Sequence, residues 1–280
     1  MTYLQITQKI SSILEQSSIE NAVIEAENLI TEVLEISRSE LVMRKIMNTA
    51  LSVEDEEKLF AAAEKRALPC PLQYITGRAY FRNLVLSVRC GVLIPRFETE
   101  ILVEHALSEM PKNGRLLDIG TGSGAIAIAC ATEREDISVV AVDISLRALE
   151  IAEENAKKYN LKNISFRESD LCSAINEDEK FDVVAANLPY VTLDEYPELH
   201  KQVRDWEPQI ALTAVDDGMA LIKEVCHDLS GLLTENGYAI FEMSEFQTQK
   251  IKELLQELGF VSEIICDYTG RARFVSAKKK

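Results

Sequence analysis

The chain has 280 residues, of which 47% are hydrophobic and 27% charged, the balance of a soluble globular protein long enough for a catalytic domain with a smaller companion. Its 30 basic and 46 acidic residues give a formal net charge of −16, which argues against a nucleic-acid partner, because that binding is driven largely by Lys and Arg displacing counterions. No signal-like start and no run of about 18 apolar residues is present, so no membrane span and a cytoplasmic location are expected.

Six cysteines (Cys70, Cys90, Cys130, Cys172, Cys226 and Cys266) are widely spaced with no C-x-x-C pair, and there are three histidines. They read as reduced thiols, with no metal site. Taken in chain order, Ile6, Ile10, Ile13 and Leu14 share one helical face, and a second helix is expected after Ser18. A third is expected after Ser39, and a fourth from Ser52 to about Leu68, where Pro69 and Pro71 stop it. Up to Cys70 this region has seven basic and twelve acidic residues, so it is no nucleic-acid arm. Residues 72–95 change character, and the partial alternation from Phe81 to Val88 suggests a β-hairpin. A helix is expected from Glu98 to Met110.

Beyond it strands and helices alternate. The strand candidates are Arg115–Ile119, Ile137–Val142, Ile164–Glu168, Phe181–Ala186, Tyr238–Met243, Val261–Cys266 and Arg273–Ser276. Helices are expected at about 124–133, 145–159, 217–233 and 245–258. This pattern predicts a mostly parallel sheet covered on both faces, with the last two strands as an antiparallel edge hairpin. The expected division is a helical domain at 1–70, a linker at 71–96 and an α/β domain at 97–280.

The strongest local signal is Leu116-Leu-Asp-Ile-Gly-Thr-Gly-Ser-Gly124, an apolar strand ending in Asp118 followed by a glycine-rich helix start. Glycines permit a tight turn and close ligand approach. Asp143 ends the next strand, where a carboxylate can accept both ribose hydroxyls of an adenosine. Gly122-x-Gly124-x-x-Ala127 also matches a dinucleotide fingerprint. The D-x-G-x-G-x-G run resembles the class I methyltransferase motif, in which the ligand is S-adenosylmethionine, with no pyrophosphate but an ammonium and a sulfonium. Asp118, Gly120, Thr121, Gly122, Ser123, Gly124 and Asp143 are therefore the candidate cofactor residues. Asp170 and Leu171 join them, expected at the adenine amino group and the ring face; an ordinary capping acid is the competing reading of Asp170.

Phe181–Ala186 runs into Asn187-Leu-Pro-Tyr190, at the carboxyl end of a strand where the ligand crevice lies. The tetrad resembles the [DNS]-P-P-[YFW] motif of methyltransferases acting on planar nitrogens. An amide nitrogen is a poor nucleophile because its lone pair is delocalised. Asn187 and the carbonyl of Leu188 can accept its two hydrogens and aim it. Pro189 stiffens the loop and Tyr190 can stack on the planar group. Asn187, Leu188, Pro189 and Tyr190 are the candidate catalytic and substrate residues, with Asn187 also near the cofactor.

Three further segments extend the likeness: Pro71-Leu-Gln-Tyr-Ile-Thr-Gly77 with Phe81, Leu93-Ile-Pro-Arg-Phe-Glu-Thr-Glu100, and Arg204-Asp-Trp-Glu-Pro208 with Gly218-Met219. Across nearly its whole length the chain resembles the PrmC/HemK family, the peptide chain release factor glutamine methyltransferases. The resemblance implies a class I, Rossmann-like α/β fold with a seven-stranded sheet behind a helical bundle. It implies methyl transfer from S-adenosylmethionine to the glutamine of the Gly-Gly-Gln motif in class I release factors. It also implies that Arg96 and Thr99 help position the substrate loop and that the helical domain docks on the release factor; no metal and a monomer are expected. Two residues depart from the family pattern, Leu188 and Phe97, each where the family has Pro. Asn-Leu-Pro-Tyr also resembles the tetrad of rRNA adenine dimethyltransferases, which leaves an exocyclic amine of RNA or DNA as the alternative substrate. A module that binds cofactor without turnover, through Leu188, is a third reading.

Overall fold

The computed structural model describes residues 1–279. Its elements in order are α1 (Tyr3–Gln16), α2 (Ala22–Leu34), α3 (Arg38–Ile46), α4 (Val53–Ala67), α5 (Leu72–Thr76), β1 (Arg78–Phe81), β2 (Leu84–Ser87), α6 (Thr99–Ser108), β3 (Arg115–Ile119), α7 (Ala125–Glu133), β4 (Ser138–Asp143) and α8 (Leu146–Lys158). There follow β5 (Ile164–Glu168), β6 (Phe181–Ala186), the single turns α9 (Lys201–Arg204) and α10 (Val215–Gly218), α11 (Ala220–Leu232), β7 (Leu233–Glu242), α12 (Glu245–Glu257), β8 (Val261–Cys266) and β9 (Ala272–Lys278). No helix among the described residues is long and apolar enough to cross a membrane.

The chain forms two compact units. One contains Met1–Gly77 with His200–Trp206; the other contains Arg78–Leu199 and the chain from Glu207 onward. In the first, side-chain caps start α1, α3 and α4. Thr2 and Gln5 form a reciprocal capping box on α1, and Ser52 accepts from Asp55 N at 3.0 Å at the head of α4. At α3 the cap is Ser37, which accepts from Glu40 N at 3.1 Å, so the helix begins before the expected Ser39. Similarly α2 begins at Ala22 rather than just after Ser18, because Ser18 and Asn21 both adopt left-handed backbone. Ile6, Ile10 and Leu14 of α1 pack with Leu29, Ile30, Leu41 and Leu59 in a common core. Into its rim Arg66 donates two hydrogen bonds to Glu25 Oε2, at 2.9 and 2.6 Å. Residues 72–76 add a short helix that periodicity did not reveal, ended by Gly77.

The second unit opens with the hairpin β1–β2, turned at Arg82 and Asn83. Its seven-stranded sheet has the order β5-β4-β3-β6-β7-β9-β8, parallel from β5 to β7 and antiparallel for the last two pairings. The expected fold is the observed one, with the last strand inserted between β7 and β8. Alternation along each strand divides the core into two layers. Leu116, Val139, Val183 and Ile240 face the layer holding α6 and α7, while Leu117, Val140, Val184 and Phe241 face the layer holding α11 and α12. Most expected boundaries shift by about one or two residues, and two starts move further. Helix α11 starts at Ala220 because Asp216 and Asp217 take positive φ of 57° and 53°. Strand β7 starts five residues earlier than its apolar run, through a bulged pairing of Leu233 with Phe181.

Candidate active site

The chain crosses over between β3 and its two parallel neighbours β4 and β6, and ligands of open α/β sheets bind beyond the carboxyl ends of strands at such a switch point. A cleft lies there. The glycine turn contributes Gly120, Thr121, Gly122 and Ser123. The ends of β4 and β5 add Asp143, Asp170 and Leu171; the segment after β6 adds Asn187, Leu188 and Pro189; Arg96 and Thr99 close one side. These predicted residues, scattered in sequence from Arg96 to Pro189, therefore meet in one place.

Three predicted residues, Asp118, Gly124 and Tyr190, lie outside the lining. Asp118 is fully buried behind the turn. Its Oδ2 accepts from Thr121 Oγ1 at 2.7 Å and from Ala127 N at 3.2 Å, tying the turn to the start of α7. Burial pushes its pKa up to about 7, against those two hydrogen bonds. Gly124 packs inward, against Ile128 and Ala152. Tyr190 is held from behind: Arg273 Nη2 donates to its hydroxyl at 3.2 Å, and the guanidinium stands 5.6 Å from its ring centre.

The turn is fixed by the backbone as well. Gly120 N and Thr121 N both donate to Val142 O, at 2.9 and 3.0 Å, and Gly122 N donates to Asp143 Oδ2 at 2.8 Å. Gly120 takes a φ of +74°, a backbone that favours glycine, and a Cβ there would press on Leu188 Cδ2 at 2.9 Å. Asp143 also accepts from Ser145 N at 2.9 Å, and burial raises its pKa despite these contacts. Leu171 occupies left-handed backbone, φ +44°, with its carbonyl bound by Ser169 Oγ at 2.8 Å. Such a conformation at a leucine is strained and is found where a site holds a side chain in place.

Four further residues organise the cleft, and sequence reading assigned them no role. Asn155, fully buried on α8, accepts from Ser87 N at 2.7 Å and donates to Ser87 O and Ser123 O, each at 3.0 Å. Glu207 accepts from Ile94 N at 3.0 Å and from Arg96 Nη2 at 2.6 Å, which anchors the Leu93–Glu100 segment. It lies within Arg204–Pro208, a segment already conspicuous for its likeness. Glu242, at the carboxyl end of β7, accepts from Thr99 Oγ1 at 2.7 Å, and Asn187 Nδ2 donates to the same hydroxyl at 3.1 Å. An acid closing an apolar strand was its only signal. Gln247 bridges Tyr190 O and Asp217 O, each at 2.9 Å, over Gly218, where a Cβ would lie 2.1 Å from Tyr190 O.

A seven-stranded sheet of this order, with a glycine turn after β3, an acid ending β4 and an Asn-Leu-Pro-Tyr loop after β6, defines a class I methyltransferase. Residues 97–202 match the family model "Methyltransferase small domain", and residues 5–77 match "PrmC N-terminal domain". The release factor glutamine methyltransferase of Fusobacterium nucleatum is 36% identical over 99% of this chain and 78% of its own length. That of Buchnera aphidicola is 37% identical over 94% and 95%. A methyltransferase structure from Pyrococcus furiosus has a TM-score of 0.55 at 17% identity, covering 81% of this chain and 99% of that one, a likeness of fold alone. The chain belongs to the release factor glutamine methyltransferase family.

Proposed function

We propose that the protein transfers a methyl group from S-adenosylmethionine to the side-chain amide nitrogen of the glutamine in the Gly-Gly-Gln motif of class I peptide chain release factors. The activity modulates translation termination and belongs in the cytoplasm, where those factors act. The observation that carries the reading is the meeting of Asn187, Leu188 and Pro189 with the glycine turn in a single cleft. Family membership favours this substrate over a nucleic-acid amine.

The residues present suit the cofactor. A Cβ at Gly122 would meet nothing within 4 Å, so the turn leaves room beside the cleft. The Asp143 carboxylate lies in the lining, ready to accept from ribose hydroxyls, while Leu171 and Ile144 offer apolar surface to a ring beside Asp170. Asp118 acts from behind by holding Thr121 and the head of α7, and Gly124 by letting α7 and α8 close up. S-adenosylmethionine supplies an electrophilic methyl on a sulfonium. The protein aims the nucleophile: Asn187 Oδ1 and the Leu188 carbonyl accept the two amide hydrogens, and Pro189 keeps the loop from competing as a donor. Tyr190, clamped by Arg273 and Gln247, holds the far end of the loop. Arg96 and Thr99 border the substrate side. The helical unit supplies the docking surface, a role supported by the exposed Met43 and Ile46 of α3 and Met47 just after it, at 60%, 79% and 72%.

The test is incubation with radiolabelled S-adenosylmethionine and a purified class I release factor, beside a copy whose Gly-Gly-Gln glutamine is alanine. Label in the unaltered factor alone supports the reading. Label in neither, with cofactor binding intact, overturns it.

A further inference from the structure

The buried contacts behind Asn187 have a direction. Thr99 is 5% exposed and Glu242 is 2% exposed, and together with Asn187 they form a chain of hydrogen bonds running away from the cleft. A hydroxyl carries one proton, and an ionised carboxylate can only accept. With Glu242 ionised, the Thr99 proton is committed to Glu242 Oε2. Only lone pairs of Thr99 then remain for Asn187, and they accept from its Nδ2. The carboxamide of Asn187 is thereby turned with its oxygen away from Thr99.

That end matters. A substrate amide nitrogen presents two hydrogens and needs acceptors. Were Glu242 protonated, it could donate to Thr99. Thr99 could then donate to Asn187 Oδ1, and the amide would rotate its NH₂ toward the substrate, donor against donor. We propose that Glu242 is a positioning residue, acting through Thr99 to fix which end of the Asn187 carboxamide meets the substrate. This inference rests on the proposed function only for the identity of that substrate.

The surroundings of Glu242 fit a group with such a task. Its Oε1 takes no hydrogen bond from the described residues, and the nearest cation, Arg273 Nη2 on β9, stands 3.9 Å away. A buried carboxylate left half satisfied costs stability and calls for an explanation. The charged and titratable groups facing it are Arg273, Tyr190 after β6, and Arg96 and Glu98 before α6. Burial outweighs the Thr99 hydrogen bond and the two arginines, and pushes its pKa up to about 7. The two states of the relay therefore exchange near neutral pH.

The experiment compares wild type with Glu242→Gln, Thr99→Val and Thr99→Ser, measuring kcat and KM for release factor from about pH 6 to 9. Calorimetric titration of S-adenosylmethionine accompanies each variant. Wild-type kcat is expected to rise with pH through the neutral range and level off. Glu242→Gln lowers the plateau by about 10- to 100-fold with little change in either binding step, and abolishes the rise. Thr99→Val loses the rise as well, Thr99→Ser keeps it, and the Glu242→Gln/Thr99→Val double variant is no worse than the poorer single variant. A second readout needs no substrate: the ¹⁵N side-chain amide resonance of Asn187, identified by its absence in Asn187→Ala. It is expected to titrate with pH in wild type and to be pH-independent in Glu242→Gln. A Glu242→Gln enzyme with the wild-type pH profile, or an Asn187 resonance that titrates identically in both, overturns the positioning role. So does a loss in Glu242→Gln and Thr99→Ser alike that follows cofactor affinity and thermal stability. Absence of transfer to release factor by wild type would instead defeat the substrate reading, and the amide resonance would still decide this one.

Discussion

Replacing Asn155 by alanine should weaken the second unit and loosen the glycine turn together. The side chain is wholly buried and makes three hydrogen bonds, one from Ser87 N and one each to Ser87 O and Ser123 O. Truncation strands all three backbone groups. A buried unsatisfied group costs about 1–3 kcal/mol, and Ser87, being half-buried, recovers part of that from water. The expected loss is roughly 3–5 kcal/mol, a large share of the roughly 5–15 kcal/mol that holds a domain together. Tryptophan fluorescence is the wrong assay, because the single tryptophan, Trp206, belongs to the other unit. Pulsed thiol labelling in urea is the right one, since Cys130 and Cys226 are fully buried in the second unit. Asn155→Ala should expose these thiols at a lower urea midpoint and bind S-adenosylmethionine more weakly, because Ser123 lies in the turn. Asn155→Asp should be worse at neutral pH, since it sets a carboxylate against two carbonyls, and should recover partly on acidification. Wild-type midpoint and cofactor affinity in Asn155→Ala would refute the reasoning.

Three other outcomes are expected. Asp143→Ala should weaken S-adenosylmethionine binding by roughly 1.5–3 kcal/mol if charged hydrogen bonds to the ribose are lost, and an unchanged calorimetric titration would remove that role. Gly218→Ala places a Cβ 2.1 Å from Tyr190 O at a φ of +74°, so it should destabilise the unit by about 2 kcal/mol or more and lower kcat through the displaced tetrad; wild-type melting and turnover would contradict the close approach. Asp118 has a pKa raised from 3.8 to about 7, so the native state keeps a proton that the unfolded chain has lost. Its contribution to stability is therefore full below pH about 4 and is lost as pH rises through about 7. The stability difference between wild type and Asp118→Asn should fall over that window, and a flat difference measured by denaturant titration would refute the assignment.

Much of the fold was open to reading because its signals are local. The strands at Arg115–Ile119, Ile164–Glu168, Phe181–Ala186 and Val261–Cys266 were legible to the residue, since each is a short run of strand-forming residues set off from the helical stretches around it. The misplaced starts of α2, α3 and α11 have a common cause. Several residues near each could cap or turn, and the choice between Ser37 and Ser39, or the left-handed pair Asp216–Asp217, depends on packing that spacing does not express.

For the site, the sequence by itself determined the residue types at the strand ends: glycines for a tight turn, an acid closing β4, and an amide and a proline after β6. Those follow from chemistry within a few residues. Only the tertiary structure decided what stands behind them. Thr99 and Glu242 are 143 residues apart, and Arg96 and Glu207 are 111 apart. A hydrogen bond between such positions has no periodicity and no motif, because it is made by segments far apart in the chain that the fold brings together. The same holds for Asp118 and Tyr190, whose neighbours in sequence line the cleft while their own side chains turn inward. The backbone at a strand end sends adjacent side chains to opposite faces, and the packing of the helices against the sheet settles which face is the ligand's.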